Sequence, residues 1–216
     1  MEEHTPTDSQ TPWFDNSLRS LITSNLITIV VAVVEGWSLT TLLFIYWAQS
    51  VIIGVFHIRR MLELESFTTD GLTMNGRPVA PIPSSKRQVA GFFALHYGFF
   101  HFVYLVFVLT GISTNGGLST PVWWGLVGGV VMFAFNHYFS YRQNRALDRQ
   151  GSPNLGTMLF LHYARVVPMH LMAGVGVAVG GTTRVAVIGF LSLKTIADAV
   201  MHIVEHRALR KRPATS

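Results

Sequence analysis

Apolar residues arrive in this chain in six blocks of about 20, the length at which a helix crosses the hydrocarbon core of a bilayer. The blocks lie near residues 18–34, 38–58, 90–112, 122–141, 157–179 and 185–206. Lipid offers no hydrogen bonds to a bare backbone, so each block reads as a helix that satisfies its own amides. The expected fold is therefore all-α, an integral membrane bundle of about six transmembrane helices. Charge agrees, since 12% of the 216 residues are charged, against about 25% in soluble domains. The expected organisation is one domain over 18–206, with an N-terminal tail at 1–17 and a basic tail at 207–216.

The basic residues give the orientation. Arg59, Arg60, Arg77, Lys86 and Arg87 fall between the second and third blocks, and Arg142, Arg145 and Arg149 between the fourth and fifth. Arg207, Arg210, Lys211 and Arg212 follow the sixth block, and Arg19 opens the first. These thirteen share one side, Arg184 stands alone on the other, and Arg165 and Lys194 lie inside blocks. The excess places both termini in the cytoplasm of a multi-pass protein of the cell membrane. A pI of 9.9 would otherwise point to nucleic acid, but loop topology accounts for it, so no nucleic-acid partner is expected.

Cysteine is absent, which excludes disulfides, thiolate metal sites and cysteine nucleophiles. The first 17 residues carry Glu2, Glu3, Asp8 and Asp15 and no Lys or Arg, unlike a cleaved signal peptide. Glu35-Gly36-Trp37 is so short a link that the first two helices are expected to form an antiparallel hairpin. Between the second and third helices, Asn75-Gly76 separates two short β-capable runs and predicts a small cytoplasmic β-hairpin. The Gly125–Gly129 and Gly176–Gly180 spacings are candidates for close helix contacts.

Eight of the nine histidines lie in or at the ends of the apolar blocks, with Arg165, Lys194 and Asp198 beside them. Such groups cost roughly 2.5–3.5 kcal/mol each at a bilayer centre, so they normally face a protein interior or a wet cavity. In the sixth helix Lys194, Asp198 and His202 recur every four residues with Glu205 close behind, one stripe on which Lys194 and Asp198 are set to pair. In the fifth, His162, Arg165 and His170 flank Pro168, which cannot bond to the carbonyl of Ala164. In the third, His96 and His101 are five apart and point different ways, and His101 groups with Tyr97 and Tyr104. Asn136 and His137 sit near the cytoplasmic end of the fourth, Gln49 mid-span in the second, and His57 near its cytoplasmic end. Counting ~1.5 Å per residue, most of these groups lie in the cytoplasmic halves of their helices, as a cavity opening to the cytoplasm requires.

The pieces Tyr46-Trp47-Ala48-Gln49 with Gly54, His96-Tyr97-Gly98, Asn136-His137, Arg165-Val166-Val167 with His170, and Lys194-Thr195 with Asp198 and His202 together resemble a family known only as a domain of unknown function. Its members are polytopic membrane proteins of bacteria and archaea, and the resemblance covers roughly residues 42–206. It implies a glutamate where Gln49 stands and an asparagine where His57 stands, so the chain departs from the family pattern at both positions. No activity comes with it.

Four functions compete. Neutral imidazole is the commonest metal ligand, and the leading expectation is a metal-dependent site for hydrolysis or redox chemistry. There His96, His162, His202 and His137 would be ligands to zinc or another transition metal, with Asp198, Lys194 and Arg165 as catalytic groups. Asp198 can also serve as a ligand, and Arg165 and Lys194 can hold an anionic group. Haem or quinone binding comes next, with axial histidines and Arg165 on a propionate. A small-molecule or proton transporter or channel would use Lys194, Asp198 and the histidines as a relay. A structural protein would use the same groups as a packing network, although interhelical hydrogen bonds average only about 0.6 kcal/mol. The expected partners are membrane lipids, a small-molecule substrate and further copies of the chain.

Overall fold

The computed structural model describes residues 16–114, 120–163, 167 and 184–210. Over these residues the chain is helical apart from its connections and one hairpin. The helices are α1 (Asn16–Val34), α2 (Leu39–Leu62), α3 (Pro83–Thr114), α4 (Thr120–Arg149), α5 (155–163) and α6 (Arg184–Arg210). The two strands are β1 (Thr73–Met74) and β2 (Arg77–Pro78). By length and composition, α2 and the Pro83–Ser113 stretch of α3 are long and apolar enough to cross a membrane. Several helices outrun the apolar blocks: α3 starts at Pro83 and α4 runs on to Arg149, so both carry polar turns beyond the apolar part.

Local chemistry sets the boundaries. Ser38 caps α2, its hydroxyl accepting from the Thr41 amide at 3.1 Å. Arg59 and Arg60 occupy the last turn, where positive charge complements the helix dipole. Between the strands, Asn75 and Gly76 have φ of 51° and 75°, the left-handed pair that a two-residue hairpin turn demands. The register is Thr73 opposite Pro78 and Met74 opposite Arg77, which is the hairpin that Asn75-Gly76 predicts.

Packing departs from expectation at the first connection. Gly36 takes φ of 67° and the Trp37 amide closes onto the Ala32 carbonyl at 2.8 Å, a Schellman-type stop. The tight link does not produce a hairpin of α1 along α2. Among the described residues α1 packs against α6, while α2 is the hub that touches α3, α4 and α6. The physical reason lies in one buried cluster, where Ala32 of α1 and Leu39 and Leu42 of α2 meet Ala186, Val187, Phe190 and Leu191 of α6. The start of α6 thus fills the place that α2 would take beside α1. Of the two glycine spacings, Gly176–Gly180 lies outside the described residues, and a side chain at Gly125, Gly128 or Gly129 would meet nothing within 4 Å. Among the described residues the close approaches are instead at Gly54, against Tyr97, Gly111, against Thr40, and Gly156, against Asn154.

A second buried cluster joins α2, α3 and α5 through Met61, Phe93, Tyr97, Leu155 and Met158. Its floor is the contact between two connections. The Thr68 amide donates to the Pro153 carbonyl at 3.1 Å, and the Leu155 amide returns the bond to the Thr68 carbonyl at 2.9 Å. Asn154 adds side-chain bonds to Thr68 and to the Asp70 carbonyl while its own Oδ1 caps α5. The ends of α2 and α4 and the starts of α3 and α5 therefore gather at one end of the bundle, and α6 runs in the direction of α2.

Candidate functional site

The α2–α3 seam holds a closed circuit of polar groups. Gly54 makes it by absence: a Cβ there would stand 2.6 Å from Cε1 of Tyr97. The Tyr97 ring can thus lie against the α2 backbone and bring its hydroxyl to Ser50, 2.7 Å from Oγ and 2.8 Å from the carbonyl oxygen. His101, one turn on from Tyr97, stacks on that ring with centroids 4.0 Å apart. Its Nδ1 lies 2.8 Å from the Tyr97 carbonyl and its Nε2 lies 2.9 Å from Ser50 Oγ. A carbonyl only accepts, so Nδ1 donates to it, and in the neutral imidazole Nε2 accepts from the Ser50 hydroxyl. Trp47 Nε1 donates to the His101 carbonyl at 2.8 Å and locks the arrangement from α2. His101 is buried, as are Tyr97 and Tyr104, whose ring meets the imidazole edge to face.

One level toward the loop end, His57 and His162 stack face to face, with centroids 3.3 Å apart and planes within 16°. His57 is buried on α2, and His162 comes from the start of α5. Phe93, which is fully buried, touches both imidazoles and also stacks on Tyr97 at 4.6 Å. Tyr163 leans on Phe93 and bonds through its hydroxyl to His96 Nδ1 at 3.0 Å. His96 itself stands exposed on α3 between Phe92 and Phe100.

The α1–α6 side solves the same problem with charge. Lys194 donates to Asp198 Oδ2 at 2.5 Å, one turn apart on α6, as the spacing predicts. Asn25 of α1 bridges the pair, donating to Asp198 at 3.2 Å and accepting from Lys194 at 3.4 Å. The ammonium also lies 4.9 Å from the centre of the Tyr46 ring of α2, a cation–π contact.

A third group closes the loop end. Glu63, the residue that caps α2, accepts from Tyr141 and faces Arg59 and Arg145 at 2.9 and 2.7 Å. Burial pushes its carboxyl up, but the Tyr141 hydroxyl and the two guanidiniums outweigh burial and hold it below the usual carboxylate range. Next to it Arg60 grips Asp148 through both its Nε and Nη2, tying α2 to α4.

Of the expected ligands, His162 meets His57, and His96 meets Tyr163. His137 sits apart on α4, stacked on Phe133 and near Phe56. The side chain of His202 lies outside the described residues, as do Arg165 and His170. Among the described residues no three His, Asp or Glu groups converge as a metal requires. The His57–His162 stack is itself a poor chelate, since imidazole lone pairs lie in the ring plane and parallel rings do not aim them at one point. Ser50, Asn25, Tyr46 and Tyr163 are the groups that sequence reasoning missed. Ser50 had one signal, its place four residues before Gly54, where a missing side chain lets a neighbour approach.

A model of a family of unknown function (DUF6498) matches residues 10–215, in agreement with the resemblance read from the helices. No curated protein matches the chain. No solved structure matches it either.

Proposed function

We propose that this chain, which belongs to the family of unknown function DUF6498, is a six-helix membrane protein that passes protons along α2, α3 and α5. Its termini and loop end face the cytoplasm. Burial supports the membrane part. Only 28% of the most apolar window of α2, and 28% of that of α3, is buried inside the protein, whereas a soluble core helix hides most of such a window. Leu95, Phe99 and Phe102 of α3 and Trp124, Met132 and Phe135 of α4 stand exposed, a surface suited to lipid and costly in water. Most of the thirteen basic residues counted for orientation belong to the loop end, as the positive-inside rule asks.

The observation that carries the proton reading is the position of Ser50 Oγ, 2.9 Å from His101 Nε2 and 2.7 Å from Tyr97 Oη. With His101 neutral, the serine hydroxyl donates to Nε2. When Nε2 takes a proton, the same hydroxyl turns, accepts from Nε2–H and donates to Tyr97 Oη. Both states are fully bonded, so the proton is held without a buried orphan. No step needs the backbone to move. The His57–His162 stack is a second holding point, at the loop-end level. Metal and haem chemistry have less support: both nitrogens of His101 are engaged, and the stacked pair does not chelate.

The test is proton uptake by proteoliposomes under an imposed potassium–valinomycin potential. Wild type is expected to exceed protein-free vesicles, and His101→Gln and Ser50→Ala are expected to fall to the protein-free level. Wild-type flux no greater than that of empty vesicles overturns the reading and leaves the circuit as a packing network.

A further inference from the structure

We infer that His96, held by Tyr163 in the seam between α3 and α5, is the docking point for an uncharged, lipid-soluble quinone. The inference rests on the membrane part of the reading above, not on the passage of protons. His96 stands exposed on α3, and its Nδ1 meets the Tyr163 hydroxyl of α5 at 3.0 Å. Among the described residues that is the one hydrogen bond of the ring, so Nε2 is left for a partner from outside. The surroundings are apolar. Phe92 stacks on the imidazole with centroids 5.4 Å apart, and Phe100 meets it edge to face at 5.0 Å. Phe99, on the same face of α3, and Phe160, one turn before Tyr163 on α5, stand exposed. At ~1.5 Å per residue, His96 lies about 9 Å inside the apolar block that opens near residue 90. A ring nitrogen facing hydrocarbon is costly until something bonds to it. A phosphate or carboxylate group stays at the interface, because charge is costly at this depth, so the ligand is uncharged. Where the Tyr163 hydroxyl donates to Nδ1, Nε2 carries the imidazole proton and asks for an acceptor. Where the hydroxyl accepts, Nε2 offers a lone pair and asks for a donor. A quinone supplies the first through its carbonyls, and its reduced form supplies the second through its hydroxyls. Its flat ring suits the aromatic walls of Phe92 and Phe100, and its isoprenoid tail suits the apolar surface of Phe99 and Phe160.

The experiment photolabels the whole chain in phosphatidylcholine nanodiscs with an azidoquinone and competes the label with decylubiquinone. Expected is saturable labelling of peptides carrying residues 92–100 or 160–163, displaced by decylubiquinone. His96→Leu is expected to weaken labelling about tenfold, the worth of one hydrogen bond, and Tyr163→Phe to weaken it several-fold. Phe135→Leu, on the exposed face of α4, is expected to leave it unchanged. Label spread evenly over the exposed faces of α3 and α4 and not displaced, or His96→Leu labelled like wild type, overturns the site. Displacement by monoolein as effective as that by decylubiquinone overturns the quinone class. Should His96→Leu fail to elute as a folded species, Tyr163→Phe decides: reduced labelling supports the site, and unchanged labelling overturns it. Carbonate washing of native membranes separates the two readings. A chain that stays in the membrane but fails these tests loses the site alone, whereas a chain released by carbonate overturns the membrane reading and the site with it.

Discussion

The α2–α3 seam and the α1–α6 seam both bring polar groups into apolar helices, and they do so by opposite means. On the first, an imidazole and hydroxyls share the circuit, and its bonds end on backbone carbonyls or on hydroxyls that can turn around. On the second, two full charges cancel each other and a single amide bridges them. A neutral circuit tolerates gain or loss of a proton by rotating a hydroxyl. An ion pair resists either, because one partner's neutralisation strands the other. The α2–α3 seam is thus suited to change of state and the α1–α6 seam to holding one.

The largest effect should come from Gly54, on which the neutral circuit depends. Gly54→Ala already drives a methyl into the Tyr97 ring, and overpacking of this kind costs about 1–3 kcal/mol. Gly54→Leu should prevent assembly of the seam and give no monodisperse peak on gel filtration in detergent. A Gly54→Leu protein with wild-type elution and melting would break the claim that close approach builds the circuit.

The ionic seam should show strong coupling of its two members. Lys194→Met and Asp198→Leu should each destabilise, and the double variant should be less damaged than their sum, with a coupling of roughly 0.5–3 kcal/mol. Thermal melts of the four proteins in one detergent give the cycle. Additive losses would mean that the pair is held by its surroundings and not by mutual attraction.

The smallest effect concerns acid. Glu63 has a folded-state pKa below its ordinary value of about 4.3, so its contribution is present above that value and fades as pH falls through the lowered one. Melting temperature should drop between about pH 5 and pH 3, and Glu63→Gln should flatten that limb. An identical acid limb in wild type and Glu63→Gln would show that the Arg59 and Arg145 contacts add nothing.

What could be read before any fold was seen divides along the same lines. Contacts within one helix were legible: Lys194 with Asp198, and His101 with Tyr97 and Tyr104, follow from rises of three or four residues. So was the Asn75-Gly76 hairpin, because its backbone angles suit few other residue pairs. Contacts between helices were not. His57 and His162 are far apart in the chain, and nothing local says which faces of α2 and α5 will meet. The sequence places His57 near a helix end and His162 in a ligand set with His96, His137 and His202. The short link at Gly36 argued for α1 beside α2, yet the small and aromatic residues at the start of α6 decided the packing. A turn fixes only where the next helix starts, not which neighbour it keeps.

The pairing of Thr68 with Pro153 and Leu155 has a consequence for how the chain is made. It joins two loops that flank α3 and α4, so the ring it closes cannot shut until residue 155 has left the ribosome. At synthesis rates of about 5–20 residues per second, the Thr68 segment waits roughly 4–18 s for its partner. During that interval this connection has only its own bonds, the hairpin at 73–78 and the turn contacts among Thr69, Leu72 and Val79, and the second and third helices must meet without the strap that later holds their ends. Assembly of the bundle is therefore ordered from the α2–α3 seam outward, with the loop clasp as a late step that a nascent chain halted before residue 155 would lack.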